Sequence, residues 1–218
     1  MSAPGARRLM AADIPALVAV ARIALPDTMA ARLGDRFAHR YFVALLGQDE
    51  VRVDGYFEEE RLLGFIIYTA DVTAALQAVF RRHAAAFTWA LLPALLSPTR
   101  LAYVVRIAIA VLARGGEAGD DVPAELLSIG LLPEARGTRS SGEPPRSIAH
   151  ELVRRACDHL VAQGVTAVKV FCKPEEIEPI ANRFVRREGF LARGRVTRFG
   201  IPAVLYVKTL GPAPDGAP

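Results

Sequence analysis

The chain has 218 residues, 52% of them hydrophobic and 23% charged, a balance that fits one folded domain with a sizeable core and excludes an extended or low-complexity polymer. The net charge of +4 is mild for this length; it suits an anionic ligand and gives no argument for nucleic acid. All but three of the basic residues are arginine, the exceptions being Lys169, Lys173 and Lys208.

The two cysteines, Cys157 and Cys172, stand in separate predicted elements with no CxxC or zinc-type spacing, so both read as reduced core thiols. His39, His83, His150 and His159 form no metal-ligand pattern, and no metal is expected. Arg7-Arg8 precede an apolar run that Asp13, Pro15 and Arg22 interrupt, which makes a poor secretory leader; the cytoplasm is the expected compartment.

In chain order, residues 1–5 and 211–218 read as loose ends around a single domain over 6–210. Arg7–Ala11 reads as a short strand. Asp13 then suits the N-cap of a helix with Pro15 in its first turn and Ile14, Leu17, Val18 and Ala21 as its apolar stripe. Met29–Leu46 has helical spacing through Leu33, Phe37 and Tyr41, with Gly47 at its end. Val51–Phe57 and Leu62–Thr69 read as a hairpin about a charged turn at Glu58–Glu60. Residues 74–121 read as a helical insertion: two apolar stretches within 74–114, broken at Pro93 and Pro98, each too short to span a membrane. A strand at Glu125–Leu132 leads through a loop into a helix over Arg146–Gln163. A strand at Thr166–Phe171, a helix at Ile177–Glu188 and a terminal hairpin, Phe190–Phe199 with Ile201–Val207, follow.

The second half carries the chemistry. A buried strand runs into an arginine-glycine loop at Arg136-Gly137, and the loop opens an amphipathic helix. A helix N-terminus leaves backbone N–H groups unpaired in a positive field, so a diphosphate placed there meets donors. Glycine lets the backbone approach such a ligand, and arginine adds charge-assisted bonds. Arg139, Ser140, Ser141 and Gly142 are suitable lining for it.

Three motifs in this order, ELLSIGLLPEARG (Glu125–Gly137), RSIAHEL (Arg146–Leu152) and ANRFVRREGF (Ala181–Phe190), resemble the GCN5-related N-acetyltransferase (GNAT) superfamily. The resemblance implies an α+β fold: a mixed, mostly antiparallel, twisted sheet of six or seven strands flanked by helices. Its order would be strand, two helices, two strands, the insertion, strand, helix, strand, helix and two closing strands. It also implies acetyl-CoA as acyl donor, transferred directly to a primary amine of a small molecule, an amino sugar among the candidates. In the family's R-G-x-G-x-G/A loop, Arg136-Gly137 stand for the front and Arg146-Ser147-Ile148-Ala149 for the back, with eight extra residues, Thr138–Pro145, between them. Arg139 would add to this cradle, and Ser147 replaces the second glycine. Gly130, Leu131 and Leu132 would give backbone contacts to the pantetheine, with an N–H near Leu131 polarising the thioester carbonyl. Glu125, six residues earlier, would be the general base, and Asn182 would bond the cofactor arm. The usual thiolate-protonating tyrosine is Val185; Tyr41, Tyr68 and Tyr206 are the substitutes to consider.

Two other functions stay open. The missing tyrosine and long loop favour a non-catalytic acyl-CoA-binding or regulatory module. Trp89, Phe87 and Arg81-Arg82 within 74–114 would suit a membrane interface and a lipid-linked amine. A homodimer is compatible with either.

Overall fold

The computed structural model describes residues 4–75, 77–78, 121–137, 147–198 and 201–211. Apart from helical residues at 74–75 and 77–78 and Asp121, the insertion expected at 74–121 lies outside them, and so do the loop Thr138–Pro145, Arg146 and residues 199–200 of the closing hairpin.

β1 (Gly5–Arg8) is followed by a 3-10 turn at Ala11–Asp13 and by α1 (Ile14–Ala24). Asp13 does not cap α1 through its side chain. Its carboxylate instead accepts from the Met10 N–H at 2.8 Å and from both terminal nitrogens of Arg7 at 2.8 Å. The helix expected over Met29–Leu46 is two helices, α2 (Met29–Arg32) and α3 (Asp35–Leu46), because Gly34 between them has φ of +92°, a left-handed conformation that interrupts a right-handed helix. β2 (Val51–Glu58) and β3 (Arg61–Thr69) form the expected hairpin, and both turn residues, Glu59 and Glu60, take positive φ as a type I′ turn requires. Then come β4 (Glu125–Leu131), α4 (Ile148–Ala162), β5 (Ala167–Cys172), α5 (Pro179–Arg187) and the hairpin β6 (Leu191–Arg198) and β7 (Ile201–Thr209).

The seven strands form one sheet in the order β1-β2-β3-β4-β5-β7-β6, antiparallel throughout except for β4 with β5. Alternation along β3 separates its faces. Phe65 meets Phe42 of α3 edge-on, whereas Tyr68, three residues on, meets His159 of α4. So α1 and α3 cover one face and α4 the other. Leu17, Phe42, Phe65, Ile66, Leu152 and Leu160 anchor these two layers, and each is 2% exposed or less. Fully burying a side chain of this kind contributes roughly 1.5–3 kcal/mol, so packing on both faces of β2 and β3 dominates the stability of this half. Cys157 and Cys172 are free and buried.

On the α4 face Asp54 of β2 is a buried charge, 0% exposed. It accepts from Tyr68 Oη at 2.9 Å, Arg155 Nε at 3.2 Å and Arg52 Nε at 3.2 Å. Burial first, and then the Asp54 charge, push the Tyr68 phenol well above its ordinary range.

Candidate active site

The parallel contact between β4 and β5 is only two residue pairs long, Glu125 with Lys169 and Leu126 with Val170. Past that point no described strand pairs with the β5-facing edge of β4, so the sheet opens into a cleft along the rest of the strand. A bulge in the pairing with β3, where Leu127 has no opposite number, marks the divergence.

Register decides which backbone groups face the cleft. The Leu132 N–H is given to the Leu63 carbonyl, and alternation then turns Gly130 and Ser128 toward β3 as well. Leu131 and Ile129 point the other way, into the cleft. Of the three residues expected to offer backbone contacts, only Leu131 therefore has its amide on the open edge; the Gly130 and Leu132 amides are taken up within the sheet. Ile129, unmarked by any sequence motif, shares the edge. Gly130 is glycine for a packing reason: a Cβ there would sit 2.7 Å from Phe65 Cε1 and 3.2 Å from Ala24 Cβ, where α1 closes on the strand.

The cleft ends at the α4 N-terminus. Tyr68, beside the start of β4, meets His159 near the α4 C-terminus, so α4 runs opposite to β4 and its first turn stands where β4 ends. There Pro133–Ala135 make a 3-10 turn, and Arg136 and Gly137 follow on the surface. Gly137 has φ of +84°, so a residue with a side chain is strained there. Ser147 is the α4 N-cap; its Oγ accepts from the His150 N–H at 3.2 Å, and its carbonyl takes the Glu151 N–H. The amides of Ile148 and Ala149 lie in the unpaired first turn, with the Ile148 side chain 1% exposed in the core. His150 Nδ1 lies 2.7 Å from Glu188 Oε2, tying this end of α4 to the residue after α5. Arg139 and Arg146 lie outside the described residues.

Glu125 sits at the other end of the cleft, 3% exposed, on the face covered by α1 and α3. Its Oε1 is 2.6 Å from Arg198 Nη2, and Arg198 in turn lies with its guanidinium carbon 3.8 Å over the Phe171 ring. Lys169 is its register partner on β5 and is also 3% exposed. This surrounding was not visible in the sequence, where Arg198 belongs to a remote hairpin. On the same face a cavity of about 60 Å³ lies between α1, α3 and β3–β4, lined by Ala21, Leu25, Thr28, Tyr41, Ile67 and Ser128 among others. Burial pushes the Tyr41 phenol up to about 12.

Asn182 is placed differently from its expected role. It is 0% exposed, and its Nδ2 donates to the carbonyls of Lys173 at 2.9 Å and Glu178 at 2.7 Å, while its Oδ1 accepts from Tyr206 Oη at 2.8 Å. The side chain thus joins the end of β5, the entry to α5, and β7, and gives no polar atom to the cleft. Tyr206 and Tyr68 are both engaged in buried hydrogen bonds, and Val185 is a buried apolar residue of α5.

No family model matches this chain, and no curated protein matches it by sequence. Solved structures do match by shape. An N-acetyltransferase from Staphylococcus aureus superposes with a TM-score of 0.58 at 13% identity, over 96% of this chain and 100% of that one. A GNAT-family acetyltransferase from Streptococcus pneumoniae gives 0.54 at 14% identity, over 94% and 98%. The PaiA N-acetyltransferase from Thermoplasma acidophilum, solved in complex with coenzyme A, gives 0.50 at 14%, over 96% and 99%. At these identities the likeness speaks to architecture, and it agrees with the seven-stranded, mostly antiparallel sheet that opens between β4 and β5: this chain has the GNAT acetyltransferase fold.

Proposed function

We propose that the protein is an N-acyltransferase that binds acetyl-CoA along the open edge of β4 and passes the acyl group directly to the primary amine of a small molecule. The observation that carries this is the cleft itself: two backbone positions, Ile129 and Leu131, aim into it from an edge that no described strand pairs, and the α4 N-terminus stands at its far end. The open part of β4, Leu127–Leu131, is roughly 16 Å long at ~3.3 Å per residue, which suits an extended pantetheine arm. The diphosphate then meets the amides of Ile148 and Ala149 and the side chain of Arg136. Arg139 and Arg146 remain part of this proposed cradle from the sequence motif.

The register also refines where the thioester lies. Leu131 is six residues from Glu125, about 20 Å along the strand, too far for a carboxylate and one water to reach. Ile129 is two residues nearer, so its N–H is the better partner for the reacting carbonyl, with Leu131 holding the pantetheine amide. Glu125, through a bridging water, takes a proton from the acceptor ammonium. The freed nitrogen lone pair attacks the thioester carbon, the carbonyl re-forms as the carbon–sulfur bond breaks with its electron pair leaving on sulfur, and the surplus proton of the new amide nitrogen passes through water to the thiolate. No tyrosine need serve as acid, consistent with Val185 at the position of the usual one. The small cavity beside Ser128 and Tyr41 suits an apolar portion of the acceptor, which favours a small amine of modest polarity.

Thiol release from acetyl-CoA with a panel of small primary amines tests the reaction. Glu125→Gln is expected to lower kcat by about 100-fold with coenzyme A affinity unchanged by calorimetry, in the range usual for a lost general base. A rate within twofold of wild type removes Glu125 from the mechanism. Coenzyme A binding without thiol release for any amine returns the protein to the non-catalytic binding module.

A further inference from the structure

We infer that Arg198 is a positioning residue that fixes the Glu125 carboxylate for proton transfer, an inference that rests on the acyl-transfer reading above. Arg198 is the last residue of β6, the outermost strand of the sheet. Its guanidinium carbon lies 3.8 Å over the Phe171 ring of β5, and its Nη2 is 2.6 Å from Glu125 Oε1 on β4. One arginine therefore crosses the point at which β4 and β5 part company. Both side chains are largely withdrawn from water, 12% exposed for Arg198 and 3% for Glu125.

The chemistry of the two partners explains why this arrangement fixes direction as well as charge. A glutamate side chain has three torsions and would otherwise sample several orientations. A guanidinium held over an aromatic ring has fewer orientations left, and its close ion pair passes part of that restriction to the carboxylate. Lys169, its neighbour on β5, and Thr69, opposite on β3, also stand beside Glu125, and Arg193 of β6 pairs with Asp121 ahead of β4. Among the described residues, none of these pairs bridges β6 to β4 as Arg198 does.

A purely structural staple and a positioning residue predict different kinetics. Wild type, Arg198→Ala, Arg198→Lys, Glu125→Gln and the Arg198→Ala/Glu125→Gln double variant are compared by thiol release with acetyl-CoA and the best small amine, each checked for a wild-type circular dichroism spectrum. Arg198→Ala is expected to lose about 30-fold in kcat with the acetyl-CoA KM within about twofold, because ground-state binding is untouched. Arg198→Lys should recover part of the loss, having the charge without the fork. Guanidinium ion at millimolar concentration should raise the Arg198→Ala rate several-fold and leave Glu125→Gln unchanged. The double variant should be no slower than Glu125→Gln alone, since Arg198 acts through Glu125. An Arg198→Ala rate within about twofold of wild type, or a loss that adds to that of Glu125→Gln and ignores guanidinium, overturns the inference and leaves the acyl-transfer reading intact. A wild type that binds coenzyme A and releases no thiol overturns both. Should Arg198→Ala not fold, the same comparison is made with Arg198→Gln and Arg198→Lys.

Discussion

The flank of the sheet formed by β1–β4 and the flank formed by β5–β7 differ in how far their strands are buried. β2 and β3 are buried along nearly their whole length, sandwiched between α1 and α3 on one side and α4 on the other. β6 is exposed at most of its positions. The small apolar cluster under its hairpin consists of Val122, Leu205 and Val207 with Ala167, Phe171 and Val196 against them. The inner strands β5 and β7 still reach the main core through Val168, Cys172 and Tyr206, and ion pairs cross element boundaries around this flank: Arg193 with Asp121, Arg195 with Glu176, Arg186 with Glu175, and Arg198 with Glu125. Only the last of these is buried, and it sits on the seam between the flanks. The comparison teaches that the cleft lies at the two-pair ladder between β4 and β5, where the fewest hydrogen bonds cross the sheet.

The sharpest way to break this contrast is to damage the packed flank. Asp54→Ala removes the acceptor for Tyr68 Oη inside the core and for two arginines beside it, and is expected to cost about 3–5 kcal/mol in urea unfolding, the range for one partner removed from a buried ionic network. A loss below 1 kcal/mol would mean that the network adds nothing to the packing. Next in size, Gly130→Val drives two extra methyl groups and a Cβ into Phe65 and Ala24, and is expected to destabilise by about 2–3 kcal/mol, read as a lower urea midpoint at unchanged slope. The smallest effect belongs to the other flank. Arg195→Ala, at a fully surface pair, should leave the unfolding midpoint unchanged within error, and added salt should not widen the difference. A large loss there would show that the hairpin depends on its surface charges more than its burial implies.

Much of the architecture was legible because it is local. The β2–β3 hairpin follows from two apolar runs about an acidic turn, and the bounds of α4 and β5 fall within two residues of those expected from periodicity. The break at Gly34 was missed because Leu33, Phe37 and Tyr41 keep helical spacing across it, so the apolar pattern and the backbone conformation disagree at that one residue. The site was less legible, since its decisive relations are non-local. Glu125 could be named from its place before the strand motif. Its partner Arg198 is 73 positions away in sequence, on a strand that meets β4 only through the sheet order. Ile129 carries no motif, and its exposure to the cleft depends on a bulge at Leu127 that composition does not mark. Asn182 did match a motif, yet the fold consumes its amide in bonds to Lys173, Glu178 and Tyr206.

The two-rung ladder between β4 and β5 has a further consequence for cooperativity. Few hydrogen bonds cross that line, whereas six residue pairs tie β7 to β5, so a fluctuation can release β5, β7 and β6 as one piece without melting β2 and β3. Native-state amide exchange should then divide the protein into two units, with β2–β3 protected to the limit of global unfolding and β5–β7 exchanging through a cheaper, partial opening.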